Sequence, residues 1–168
     1  RTLEDFTKDK AAAKRAVLRT RAAGGTALFD SLAQLARSLA RRSGKKAIVA
    51  FTDGQDDQSV LNAGAAIARV KKAGIPVYAV AQGAALKSKV LLQELQGIAH
   101  RTGGQSYRVL KTPEISAVFQ DVSNDLKHTY LLAYKPPPAG EETWRTIQLA
   151  VKGLKDYKVR AKEGYVPE

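Results

Sequence analysis

Apolar residues recur along the chain with two different periods. ALFDSLAQLARSLARR sets Leu28, Leu32, Leu35 and Leu39 on one stripe, with Phe29 and Ala36 beside them, which predicts a helix ended by Ser43-Gly44. KKAIVAFTD then runs apolar without alternation, as suits a strand covered on both faces of a parallel sheet. Ser59 is expected to cap a second helix that turns Val60, Ala63, Ile67 and Val70 inward and stops at Gly74. IPVYAVA predicts a further buried strand. SKVLLQELQGIAHRT aligns Leu91, Leu95 and Ile98 before Gly103-Gly104, and QSYRVL predicts a third strand. Thr112 as cap, Pro113 as first helical residue and Glu114 in the first turn open a last helix facing Ile115, Val118, Phe119, Val122 and Leu126 inward. Ahead of all this, residues 9 to 20 combine strong helix formers with Asp9 as a cap, a basic exposed helix before Gly24-Gly25.

Strand, helix, strand, helix, strand, helix between residues 45 and 126 predicts an α/β fold, a mainly parallel sheet flanked by helices. After Leu126 the period changes to two. TYLLAY, WRTIQLAV with Ile147, Leu149 and Val151 alternating, and YKVRAKEGY predict antiparallel strands, with the prolines at 136 to 138 confined to a connection. The expected organisation is an α/β domain over residues 1–127 carrying an antiparallel β extension over 128–168.

Composition narrows the chemistry. A formal net charge of +12 and a pI near 10 favour anionic partners. Lys10, Lys14, Arg15 and Arg19, with Arg41, Arg42, Lys45 and Lys46, are the candidate polyanion contacts, although no recognition motif or aromatic stacking array accompanies them. The absence of cysteine excludes disulfides and thiolate chemistry, and His100 and His128 match no zinc-ligand spacing. No apolar stretch approaches the roughly 20 residues that cross a bilayer. Beginning at Arg1 and lacking methionine, the chain is expected to be a processed product or a fragment.

Ligands of an open parallel sheet bind at the carboxyl ends of its strands, where Asp53 directly follows the apolar run AIVAF. Asp56 and Asp57 fit a turn and a helix start ahead of Ser59. A second loop, Gly24-Gly25-Thr26, precedes the leucine-striped helix, and the Thr26 hydroxyl suits either capping or a hard cation, capping being favoured by chemistry alone. Hydroxyl and carboxylate oxygens favour Mg²⁺, Mn²⁺ or Ca²⁺.

GGTALFDSL, KKAIVAFTDGQDDQS, AGIPVYAVA and LQGIAHRTGGQSY, in this order, resemble the later two thirds of a von Willebrand factor type A domain. YLLAYKP, WRTIQLAV and RAKEGY extend the similarity to the exported bacterial subgroup called VWFA-related. The resemblance implies a Rossmann-like sheet and a metal-ion-dependent adhesion site built from three loops. Thr26 matches its second-loop ligand and Asp53 its third-loop carboxylate, with Gly24, Gly25, Gly54 and Asp56 as supporting loop residues. Its first loop, Asp-x-Ser-x-Ser, has no counterpart here, since Ser31, Ser38 and Ser43 all lie in or end a helix. The chain is therefore expected to lack the family's first strands, to expose apolar sheet and helix faces, and to bind metal weakly or not at all.

The implied function is a non-catalytic, extracytoplasmic or secreted binding module. Its partner would be a protein or matrix ligand offering a carboxylate to Mg²⁺ (or Mn²⁺ or Ca²⁺) in a complete domain. Binding of nucleic acid or another anionic polymer through the basic helices is the alternative. Metal-dependent phosphoryl transfer or hydrolysis through Asp53 and Asp56 is disfavoured, because Gly24-Gly25-Thr26 lacks the lysine and spacing of a P-loop and neither histidine accompanies a nucleophile elbow.

Overall fold

The computed structural model describes residues 5–21, 24–53, 55–130, 132–135, 144–153, 159–161 and 163–165. Three parallel strands, β1 (Ile48–Thr52), β2 (Val77–Ala81) and β3 (Ser106–Arg108), lie in the order β1-β2-β3, with Ile48 opposite Val77 and Ala79 opposite Ser106. Between and around them run α1 (Lys10–Leu18), α2 (Leu28–Ala40), α3 (Ala63–Ala73), α4 (Lys89–Thr102) and α5 (Glu114–Lys127), plus a 3-10 turn over Gly83–Lys87. This is the expected α/β architecture.

Strand alternation sends successive side chains to opposite faces, and here both faces are apolar. Val77, Ala79 and Ala81 join Ile48 in a core with Leu32, Ile67, Val70, Leu95 and Ile98, supplied by α2, α3 and α4. Tyr78 and Val80 face the other way, against Val109 and against Val118 and Val122 of α5. Of α2 to α5, one layer thus has three members and the other one. The single helix leaves an open groove of about 540 Å³ beside β1, lined by Ala47, Val49, Phe119, Val122 and Leu126. At the start of β3 the chain passes so close to β2 that a Cβ on Gly104 would lie 1.9 Å from the Val77 carbonyl oxygen.

Several local expectations hold. The Asp9 carboxylate accepts from the Ala11 N–H and starts α1, while Gly74 and Gly103 end α3 and α4 in the left-handed conformation. Others are corrected. Ser59 does not start α3: the Asn62 side chain caps it by accepting from the Ala65 N–H, and Val60, expected inside, is 94% exposed in the preceding loop. Thr112 does not cap α5 either, because Pro113 occupies the N-cap position with helical dihedrals and the Glu114 carboxylate accepts from the Leu110 N–H. Leu35 and Phe119 belong to apolar stripes wider than their neighbours can cover, and are 43% and 51% exposed.

In the extension, β4 (Arg145–Thr146) pairs antiparallel with β5 (Gly164–Tyr165). The strands are shorter than the alternating pattern predicts. TYLLAY carries no strand in its described residues, and the expected proline connection and Tyr157 lie outside them. The extension is anchored through side chains. Glu163 bonds the Lys71 ammonium of α3 at 3.0 Å and stands 3.7 Å from His100 of α4, while Lys71 also lies 4.2 Å above the Trp144 ring. Arg160 pairs with Asp125 of α5 and donates to Gln105 at 2.7 Å. Lys71, His100 and Asp125 stand near the carboxyl ends of their helices, and Gln105 precedes β3, so these anchors gather at the amino ends of the strands, the pole opposite Asp53. Beside Asp125, burial and then that carboxylate push the Tyr78 phenol up to about 12.

Candidate functional site

The carboxyl ends of the strands are organised around a helix start that cannot cap itself. Ala27 stands at the N-cap of α2, and an alanine offers no acceptor to the N–H groups of the first turn. The acceptors come from the loop after β1. Asp56 accepts from the Phe29 N–H at 2.8 Å and the Ser59 hydroxyl accepts from the Asp30 N–H at 3.0 Å. Asp30 reciprocates, its two carboxylate oxygens accepting from the Val60 and Leu61 N–H groups, each at 3.0 Å. The same Asp56 also receives the Ser59 hydroxyl and N–H. Burial pushes the Asp56 carboxyl up, but the Phe29 N–H, the Ser59 hydroxyl and the Ser59 and Leu28 N–H groups outweigh it and hold the carboxyl below its ordinary range.

A second set of bonds fastens the Thr26 loop to the same segment. Asp57 accepts from the Thr26 N–H at 2.6 Å, and the Thr26 carbonyl accepts from the N–H groups of Asp57 and Gln58. Gly25 is required by this approach, since a Cβ there would fall 2.3 Å from the Asp57 carboxylate. The two loops are one hydrogen-bonded unit, and Asp56 and Asp57 serve the helix before β1 rather than one after it.

Thr26 therefore does not cap α2. It is half-buried, and no described residue bonds its hydroxyl. Asp53 follows β1 as an exposed residue, and the glycine at the end of β2, Gly83, lies so near that a Cβ on it would come 3.1 Å from the Asp53 Cβ. No described residue bonds the Asp53 carboxylate. Gly24 adopts a positive φ of 72°, and Gly54 lies outside the described residues. In kind, a hydroxyl and a carboxylate fit a hard divalent cation. In number they fall short: among the described residues no group of three His, Cys, Asp or Glu side chains could hold a metal. Asp56 and Asp57 are near in sequence, but both Asp56 oxygens accept from N–H or hydroxyl donors and one Asp57 oxygen accepts from the Thr26 N–H.

The basic candidates lie elsewhere. Lys10, Lys14, Arg15 and Arg19 are exposed on α1 or at its end, and Arg41 and Arg42 follow α2. Lys45 donates to the Leu126 and Lys127 carbonyls, closing the end of α5, and Lys46 donates to the Arg42 carbonyl. Asp30 and Ser59, missed in sequence reasoning as partners across the start of α2, carry only a weak local signal, an acid in the first turn of a helix and a hydroxyl in a polar loop.

Residues 1–122 match the profile of the von Willebrand factor type A domain, and the chain belongs to this family. Domains of this family are interaction modules, often dependent on a divalent metal. No curated protein matches the chain. Among the described residues no helix is long and apolar enough to cross a membrane.

Proposed function

We propose that the chain is a partner-binding module whose contact point is the carboxyl pole of the sheet. Thr26 and Asp53 contribute oxygen ligands to Mg²⁺, Mn²⁺ or Ca²⁺, and a carboxylate of a protein or matrix partner fills an open coordination position. The observation that carries this reading is selective commitment. Asp30, Asp56 and Asp57 are tied to N–H donors, whereas no described residue bonds the Thr26 hydroxyl or the Asp53 carboxylate. Membership of a family of interaction modules supports it further.

Two side chains leave most positions of a six-coordinate ion to water or to other loops, so residues 1–168 bind metal weakly on their own. Calorimetric titration with Mn²⁺ tests this. The expected result is a dissociation constant of about 1 mM or weaker, raised at least several-fold by Asp53→Ala and by Thr26→Ala. Equal heats from the parent chain and both variants would remove Thr26 and Asp53 from the reading.

A further inference from the structure

We propose that α1 and the turn between α2 and β1 form a docking surface for an anionic lipid bilayer. This inference is independent of the metal reading and concerns a separate, basic part of the molecule. On α1 the half-buried residues are Ala12 and Ala16, four apart and hence on one ridge, which is the sheltered side of the helix. The ridge pointing away is Lys10, Lys14 and Leu18, flanked by Arg15 and Val17, all exposed. Val17 and Leu18 are 71% and 75% exposed, so two aliphatic side chains stand in solvent beside Lys10, Lys14 and Arg15.

The fold joins this face to the second basic segment. The Arg42 guanidinium lies 4.2 Å above the Phe6 ring and 3.5 Å from Asp5, which ties the segment leading into α1 to the end of α2. The C-terminal extension is anchored on other residues, Lys71, His100, Asp125 and Gln105.

Charge complementarity selects an anionic surface, and the aliphatic residues select which one. Each Lys or Arg near an anionic leaflet strengthens binding about fivefold. Val17 and Leu18 would enter the boundary between headgroups and acyl chains, as the apolar residues of an interfacial helix do. A nucleic acid would use the cations but has no place for two exposed aliphatic side chains beside phosphate.

The test is sedimentation of the whole chain with vesicles of phosphatidylcholine alone and of phosphatidylcholine with about one-third phosphatidylglycerol. Binding is expected only to the anionic vesicles, falling about tenfold or more between about 50 and 300 mM salt. Lys10→Ala with Lys14→Ala lowers the partition coefficient about 25-fold. Val17→Ser with Leu18→Ser lowers it several-fold further than any loss of retention on a heparin column, with unchanged circular dichroism confirming that these exposed substitutions leave the fold intact. Three results would each overturn the proposal: no binding to anionic vesicles at low salt, equal binding to neutral ones, or a Val17/Leu18 variant that binds lipid as the parent does while duplex DNA competes the parent off completely.

Discussion

At the carboxyl pole of the sheet, acidic residues are bonded into the fold; on the flank formed by α1 and the end of α2, basic residues are displayed. Asp30, Asp56 and Asp57 each accept backbone N–H groups across roughly 30 residues of sequence, and removing any of them orphans donors that no other described group serves. Lys10, Lys14 and Arg15 bond at most to one another's neighbours, as in the 3.6 Å pair of Arg15 with Asp9. One set of charges is therefore structural and the other available. The same contrast separates Asp53 from its acidic neighbours: it shares their loop and not their bonds.

The contrast can be broken by substitution. Asp56→Ala should cost about 2 kcal/mol in urea denaturation, because the Phe29 N–H and both Ser59 donors lose a charged acceptor at the start of α2. Gly25→Ala should cost about 1 to 2 kcal/mol, since its Cβ would displace the Asp57 carboxylate from the Thr26 N–H. Arg160→Ala, at the anchor of the extension, should cost about 1 kcal/mol, because it strips Asp125 and Gln105 of their partner at a half-buried site. Lys14→Ala should change stability by less than about 0.5 kcal/mol, as for an ordinary surface site. A cost for Lys14→Ala equal to that of Asp56→Ala would abolish the distinction between the two regions.

Titration sharpens it. The Asp56 carboxyl is lowered in the folded state from 3.8, so its stabilisation is complete above 3.8 and is lost as pH falls through the lower folded value. The stability gap between the parent and Asp56→Ala, measured by urea midpoints, should therefore close at the acid end and stay constant from about pH 5 to 8. On the alkaline side, Tyr78 moves from 10.0 to about 12, so its contribution is full below 10 and is lost as pH rises through about 12. Tyr78→Phe should flatten that alkaline decline in a thermal melt.

Much of the fold is legible locally. The leucine stripe of α2, the uninterrupted run of β1 and the glycines at 74 and 103 each encode their element over a few residues, because helix periodicity, two-sided burial and left-handed caps are short-range constraints. The candidate site was legible only as types of residue at strand ends. Asp53, Asp56 and Asp57 have the same chemistry within one loop, and no local rule assigns Asp56 to Phe29 rather than to a helix that follows. Ser59 shows the limit well: it has the composition of a cap and is one, but for a helix that begins 31 residues earlier, its hydroxyl accepting from the Asp30 N–H.

By itself the sequence determined the alternation of strand and helix, the basic character of α1 and the position of Asp53 after an apolar strand, all carried by local period and composition. Tertiary structure alone decided which acids are spent on backbone donors, that Thr26 is not a cap, that Arg42 stacks on Phe6, and that Leu35 and Phe119 remain exposed. Those outcomes depend on which N–H group, ring or helix arrives from a distant part of the chain. A hydrogen bond or a buried face needs its partner in place, and that placement is a property of the packed layers rather than of any single segment.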